Sequence, residues 1–180
     1  MTPGESDRHA QVLASVEAAY SEWGSSLFRF AMRLCGNRDD AEDIVVETFT
    51  QAYRKWDSFK GTGTRLNWLY GIAVNRHAMS RRKQRNRPEA ISDDAPASAT
   101  NSLDRIAIEA AIVRLPLSQR QSFVLVKSEG LTSKEAAEIL GRPLGTVLYE
   151  VHQAVRAIRA QVVGNDFEPQ MLSRLVEAEP

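Results

Sequence analysis

Leu131-Thr132-Ser133-Lys134-Glu135-Ala136-Ala137-Glu138-Ile139-Leu140-Gly141-Arg142-Pro143-Leu144-Gly145-Thr146-Val147 reads as a short helix, a glycine-bounded corner and the opening of a longer helix. Thr132 with Glu135 three residues on fits a capping box, in which each side chain satisfies a backbone N–H that the first turn leaves open. Ala136 and Ala137 permit close helix packing, and Gly141 tolerates the left-handed conformation that ends a helix. After the turn at Arg142–Gly145, a helix from Thr146 to about Val163 places Val147, Val151, Val155 and Ile158 at helical spacing. Short helix, tight corner and longer helix make a helix-turn-helix plan; a plain helical hairpin is the simpler alternative.

Outward from this stretch the same periodicity holds almost throughout, and strand signals are scarce. A disordered tail, Met1–Asp7, precedes a helix from about His9 to Leu34 with a break near Trp23-Gly24; Gly36-Asn37 then stops it. Asp39 or Asp40 caps a second helix that turns Ala41, Ile44, Val45, Phe49, Ala52, Tyr53 and Trp56 inward. Lys60–Thr64 is a glycine-rich loop, and another helix spans Arg65–Arg85. Pro88–Ser102 has almost no large apolar residue to offset chain entropy, which predicts a linker. Helical spacing resumes over Leu103–Leu115, Pro116 interrupts it, and Gln119–Glu129 follows. The expected fold is all-α: two small helical domains joined by a flexible linker. The expected boundaries are 1–19 for the tail and start of the first helix, 20–87 for the first domain, 88–102 for the linker, 103–163 for the second domain and 164–180 for a C-terminal tail.

Composition narrows the function classes. Of 180 residues, 43% are apolar and the formal net charge is zero, so any contact with nucleic acid must come from local patches rather than overall charge. The densest basic cluster is Arg76–Arg87. The single cysteine, Cys35, lies among apolar residues and reads as a buried thiol. No catalytic motif, metal-ligand spacing or cofactor signature is present in the sequence. Met1–Ser15 lacks the features of a secretory signal and no apolar run approaches 20 residues, so a cytoplasmic protein without membrane insertion is expected.

Taken together the segments resemble a known family. Asp39-Asp40-Ala41-Glu42-Asp43-Ile44-Val45-Val46-Glu47-Thr48-Phe49 is similar to its polymerase-binding helix, Trp68-Leu69-Tyr70-Gly71-Ile72-Ala73-Val74-Asn75 to the helix that melts the −10 element, and Leu115-Pro116 through Gln119-Arg120, with Glu129-Gly130-Leu131 and Gly145-Thr146-Val147, to the domain that reads the −35 element. These are the extracytoplasmic-function (ECF, group 4) sigma factors of the sigma-70 family, whose two domains are called region 2 and region 4. The resemblance implies docking on the β′ clamp helices through Asp39, Asp40, Asp43, Glu47, Thr48, Gln51 and Arg54. It implies capture of the −10 strand by Lys60, Thr62, Thr64, Arg65, Asn75, Arg76, Arg81, Arg82, Lys83 and Arg85. Cations beside aromatic and amide groups suit a single strand, neutralising phosphates while bases stack or pair. Trp68 itself is read as core. For −35 DNA the candidates are Lys134, Arg142, Thr146, Tyr149, His152, Gln153, Arg156 and Arg159. The partners implied are core RNA polymerase (β′ clamp helices and β flap), promoter DNA and an anti-sigma factor, with no small-molecule substrate.

The last helix departs from the family. Leu148, Tyr149, Glu150 and Gln153 stand where it usually carries Lys or Arg, Ser, Arg and Arg. An acid facing phosphate repels it, which predicts weak or unusual −35 reading. Two readings compete with a promoter-directing subunit: a sigma-like decoy that binds an anti-sigma factor, and a helix-turn-helix regulator acting alone. A variation of the main reading is recruitment by an accessory DNA-bound protein.

Overall fold

The computed structural model describes residues 3–61, 63–85 and 103–162. Within them the chain is helical, with no strand among the described residues. α1, Pro3–Cys35, is one continuous helix rather than a disordered tail and a broken pair. Proline is accepted in a first helical turn, because its missing N–H would be unbonded there anyway. Gly24 costs a helix about 1 kcal/mol relative to alanine, but Val16, Ala19, Leu27 and Phe30 are buried on both sides of it and hold the helical register. Gly36, with φ of 85°, follows the end of α1.

α2, Arg38–Lys55, starts ahead of the two aspartates, so Asp39 and Asp40 sit in its first turn instead of at the cap, where the helix dipole favours negative charge. It buries Ala41, Ile44, Val45, Thr48, Phe49 and Ala52. A 3₁₀ turn, Trp56–Ser58, and a loop lead to α3, Arg65–Arg85. Aromatic contacts join the three helices: Tyr20 meets Phe49 edge-on at 5.1 Å between ring centres, and Phe30 meets Tyr70 at 4.5 Å. Such pairs contribute about 0.5–1.5 kcal/mol beyond the area they bury. The Arg8–Asp57 ion pair is 70% and 57% exposed and contributes little.

The chain divides into two compact units, the first built on α1–α3 and the second on the helices after residue 102, with Arg33–Arg38 grouped with the second. The linker expected at 88–102 and the tail expected at 164–180 lie outside the described residues.

In the second unit α4 is Leu103–Arg114, α5 is Leu117–Phe123, α6 is Ser133–Leu140 and α7 is Leu144–Val162. The helix expected at Gln119–Glu129 begins two residues earlier, just after Pro116, and its second half, Val124–Ser128, widens into a π-helical turn. Buried Arg120 donates to the carbonyls of Val113 and Leu115, satisfying acceptors that the end of α4 leaves open. α7 packs against α4, α5 and α6 and supplies Val147, Val151, Ala154, Ile158 and Val162 to the core.

The corner between α6 and α7 follows the sequence reading closely. Thr132 Oγ1 accepts from the Glu135 N–H at 3.2 Å, while the Glu135 carboxylate accepts from the Thr132 N–H at 2.9 Å. Gly141 is left-handed, with φ of 62° and ψ of 36°. The cap therefore fixes where α6 starts, and Thr132→Ala is expected to lower the unfolding free energy of the chain by about 1 kcal/mol in chemical denaturation. An unchanged midpoint would contradict that role.

Candidate nucleic-acid interface

Helical spacing decides which side chains of α2 are available. Asp39, Glu42, Asp43, Glu47 and Arg54 are exposed, with the apolar Val46 exposed among them, and Asp40 is half-buried. Thr48 is the exception among the residues expected to meet the polymerase. It lies four residues after Ile44, on the same face, and is fully buried in the core. Its hydroxyl is not available to a partner. Gln51 is half-buried and accepts a hydrogen bond from Arg76 at 2.9 Å, so a residue expected at the polymerase and one expected at the −10 strand are bonded to each other.

Two more of the expected −10 residues have structural partners. Thr64 Oγ1 accepts from the Asn67 N–H at 3.1 Å, and the Thr64 carbonyl accepts from the Trp68 N–H, so Thr64 caps α3. The Arg65 guanidinium stands 4.0 Å from the Trp56 ring centre, 4.5 Å from Phe59 and 5.9 Å from Trp68. It also donates to the Trp56 carbonyl at 3.3 Å. Cation–π attraction makes Arg65 the post around which the turn before α3 is wound, a use that differs from free phosphate contact. Trp68 contacts Trp56 and Phe59, consistent with its reading as a packing residue.

Among the described side chains in the second half of α3, Asn75, Met79 and Arg82 are exposed at successive helical turns, and Arg81 is exposed too. Lys60 is exposed in the loop, where Gly61 and Gly63 both have positive φ. Lys83 and Arg85 continue α3, and Thr62 lies outside the described residues. The Asn75 amide and the Arg82 guanidinium share one face, seven residues apart, and can hydrogen-bond a base edge and neutralise phosphate at once, with Arg81 exposed on the adjoining side.

On the second unit, Lys134, Thr146, Tyr149, His152, Arg156 and Arg159 are exposed and Gln153 is half-buried. Glu150 is not among them. It was expected to face phosphate; instead it is buried on the same side of α7 as Val147, Val151 and Ala154. Its Oε2 accepts from Ser122 Oγ of α5 at 2.5 Å and from Arg142 at 3.0 Å. Arg142 in turn donates to Gln121 Oε1 at 2.6 Å and to the Ser118 carbonyl at 3.3 Å. Arg142, expected at −35 DNA, is thereby committed to joining the α6–α7 corner to α5. The repulsion inferred from Glu150 does not arise, because its charge points inward and is paired.

Sequence reasoning missed Gln121, Ser122 and Glu150 as one network, since its members are separated by a corner and a whole helix. The available signal was an arginine in the turn eight residues before the only acid of α7. It named Leu148 only as a departure from the family and did not single out Leu144 one turn before it, although both are exposed.

The network generates a test. Glu150→Arg places a second guanidinium beside Arg142 and removes two charge-assisted hydrogen bonds, so it is expected to destabilise the chain by about 2–3 kcal/mol in denaturant unfolding, the site being partly solvated. Exchanging the charges, with Arg142→Glu added, is expected to recover part of the loss. A Glu150→Arg protein of unchanged stability would contradict the inward placement.

No helix among the described residues is long and apolar enough to cross a membrane, and no group of three or more His, Cys, Asp or Glu is placed to hold a metal ion. Residues 19–87 match the family Sigma-70 region 2, and residues 105–158 match Sigma-70, region 4. The chain is 35% identical over 144 residues to the ECF RNA polymerase sigma factor SigE of Mycolicibacterium smegmatis, an alignment that covers 74% of this chain and 56% of that longer relative. It is 32% identical over 160 residues to the ECF RNA polymerase sigma factor EcfG of Rhodopseudomonas palustris, covering 84% of this chain and 88% of the relative. Among solved structures it resembles the sigma factor RpoE of Bartonella quintana, crystallised with the anti-sigma factor NepR, with a TM-score of 0.73, 25% identity and coverage of 84% of this chain and 98% of that one. Region 2 followed by region 4, on a chain whose two helical units carry them in that order, makes this protein a member of the extracytoplasmic-function sigma factors of the sigma-70 family.

Proposed function

We propose that this chain joins core RNA polymerase in the cytoplasm, directs it to promoters and traps the opened non-template strand, without catalytic activity of its own. In this reading residues 20–87 act as region 2 and residues 103–163 as region 4, with 88–102 as the linker between them. The exposed acids of α2 and Val46 dock on the β′ clamp helices, and region 4 meets the β flap. Asn75, Arg81 and Arg82, with Lys60 in the preceding loop, hold the −10 strand, and α7 enters the major groove at −35. Regulation by an anti-sigma factor accords with the Bartonella neighbour, which was crystallised with one.

The observation that carries the proposal is the outer face of α3. Asn75 and Arg82 project from it two turns apart, Arg81 stands alongside, and all three remain solvent-exposed while the neighbouring Arg65 and Arg76 have intramolecular partners. A flipped base exposes its Watson–Crick edge to an amide, and the cost of unstacking is offset by phosphate contacts nearby. The relatives matched are themselves named sigma factors, which weighs against the decoy reading.

The test is in vitro transcription with core polymerase and this protein. Specific transcripts are expected, and Asn75→Ala is expected to depress open-complex formation without loss of core binding. Arg81→Ala with Arg82→Ala is expected to lower the salt dependence of strand binding by about 1.4 in log–log slope, the value for two phosphates on a single strand. Core polymerase that gains no promoter selectivity from the protein would refute the proposal.

A further inference from the structure

The outer face of α7 carries a feature that phosphate contacts do not explain. Tyr149 is 64% exposed, Leu148 51% and Leu144 45%, an unusual concentration of large apolar surface on the first turns of a 19-residue helix. Leu144 and Leu148 stand one turn apart and Tyr149 follows Leu148, so the three form an apolar band across the first two turns of the helix. Gly145 and Thr146 lie among them, and a Cβ added at Gly145 would meet nothing within 4 Å. Further along the helix His152, Arg156 and Arg159 are exposed, and Lys134 is exposed on α6. Glu150 is the only acid in α7, and it is turned inward against Ser122 and Arg142.

We propose that Leu144, Leu148 and Tyr149 form an apolar reading surface for thymine methyl groups in the major groove of the −35 element. The inference rests on the sigma-factor reading above and adds to it which base pairs the helix selects. In B-DNA the C5-methyl of thymine is the apolar group that base pairs present in the major groove, and apolar side chains distinguish it by contact. In the helix-turn-helix arrangement the N-terminal residues of the second helix meet base edges. That is where the three residues stand, at positions 1, 5 and 6 of α7. An acid-free outer face, with cations toward its C-terminal half, complements DNA phosphates, and the paired, buried Glu150 is what keeps it so. Gly145 lets the helix start approach the groove floor closely. Half-exposed Gln153 adds a group able to pair with adenine on the strand opposite a thymine. The substitutions that remove the usual cations from this helix thus exchange hydrogen-bond reading for methyl reading, and a −35 element rich in A·T pairs is expected.

The test starts from holoenzyme reconstituted with this protein and a template library randomised at −35 above a fixed −10 element. Thymine-containing −35 sequences are expected to be selected. In the best of them each thymine is then replaced by deoxyuridine, which removes the methyl group and leaves every hydrogen-bonding group in place. Binding by the wild-type holoenzyme is expected to fall about three- to fourfold for each thymine contacted, the factor corresponding to one buried methyl. A Leu148→Ala, Tyr149→Ala protein is expected to bind more weakly and to treat the two bases alike. Equal binding of thymine and uracil templates by wild-type holoenzyme, or selection of −35 sequences without thymine, would overturn the inference and leave the patch as a protein-facing surface. Neither result would touch the sigma-factor reading, which fails only if no template in the library is transcribed.

Discussion

The Glu150 carboxylate, closed in between Ser122 of α5 and Arg142 of the corner, sets the rotation of α7 about its own axis. A helix can present only one side to a ligand, and a charged group placed on the packed side must be paired there or it will turn the helix round. Here it is paired, and the pairing draws in Arg142 together with Gln121 and the Ser118 carbonyl. Everything exposed on α7 follows: the apolar residues of its first turns, His152, and the arginines toward its end. Rotation by a single residue position, about 100° on a helix of 3.6 residues per turn, would bring the acid toward solvent and bury a different set.

The first unit obeys the same constraint with aromatic rings in place of a buried acid. Arg65 is enclosed by Trp56, Phe59 and Trp68, which fixes the start of α3 relative to the end of α2. Because α3 then packs Leu69, Tyr70, Ala73 and Val74 inward, Asn75, Met79 and Arg82 must face out. A cation near a predicted DNA face is therefore not equivalent to a cation on it. Arg65, Arg76 and Arg142 are as basic as Arg81 and Arg156, and what separates them is whether a neighbour in the fold has already engaged the guanidinium.

Those distinctions mark how far the sequence could be read. Features written in a few adjacent residues were legible: the Thr132–Glu135 cap, the left-handed Gly141, the extent of α3 from Arg65 to Arg85, and the helical character of both halves. Features that depend on which residues meet across the fold were not. Thr48 looked like part of an acidic docking face, yet its spacing from Ile44 puts it in the core. Glu150 looked like a defect in a DNA-reading helix until Ser122, 28 positions away, and Arg142 supplied its partners. Gly24 looked like a break, but buried residues on either side outweigh the roughly 1 kcal/mol that glycine costs a helix. The family resemblance pointed to particular helices and could not say which of their side chains face outward.

In the proposed reading, two small helical cores leave two outer faces for two forms of the same DNA: an amide and cations on α3 for an unpaired strand, and an apolar, acid-free face on α7 for a duplex groove. Permanganate footprinting of a supercoiled promoter tests the pairing of these roles most directly, because unpaired thymines react and paired ones do not. With core polymerase and this protein together, thymines of the −10 region are expected to become reactive while the −35 region is protected from nuclease on the same template. Unchanged reactivity and protection relative to core polymerase alone would contradict the account.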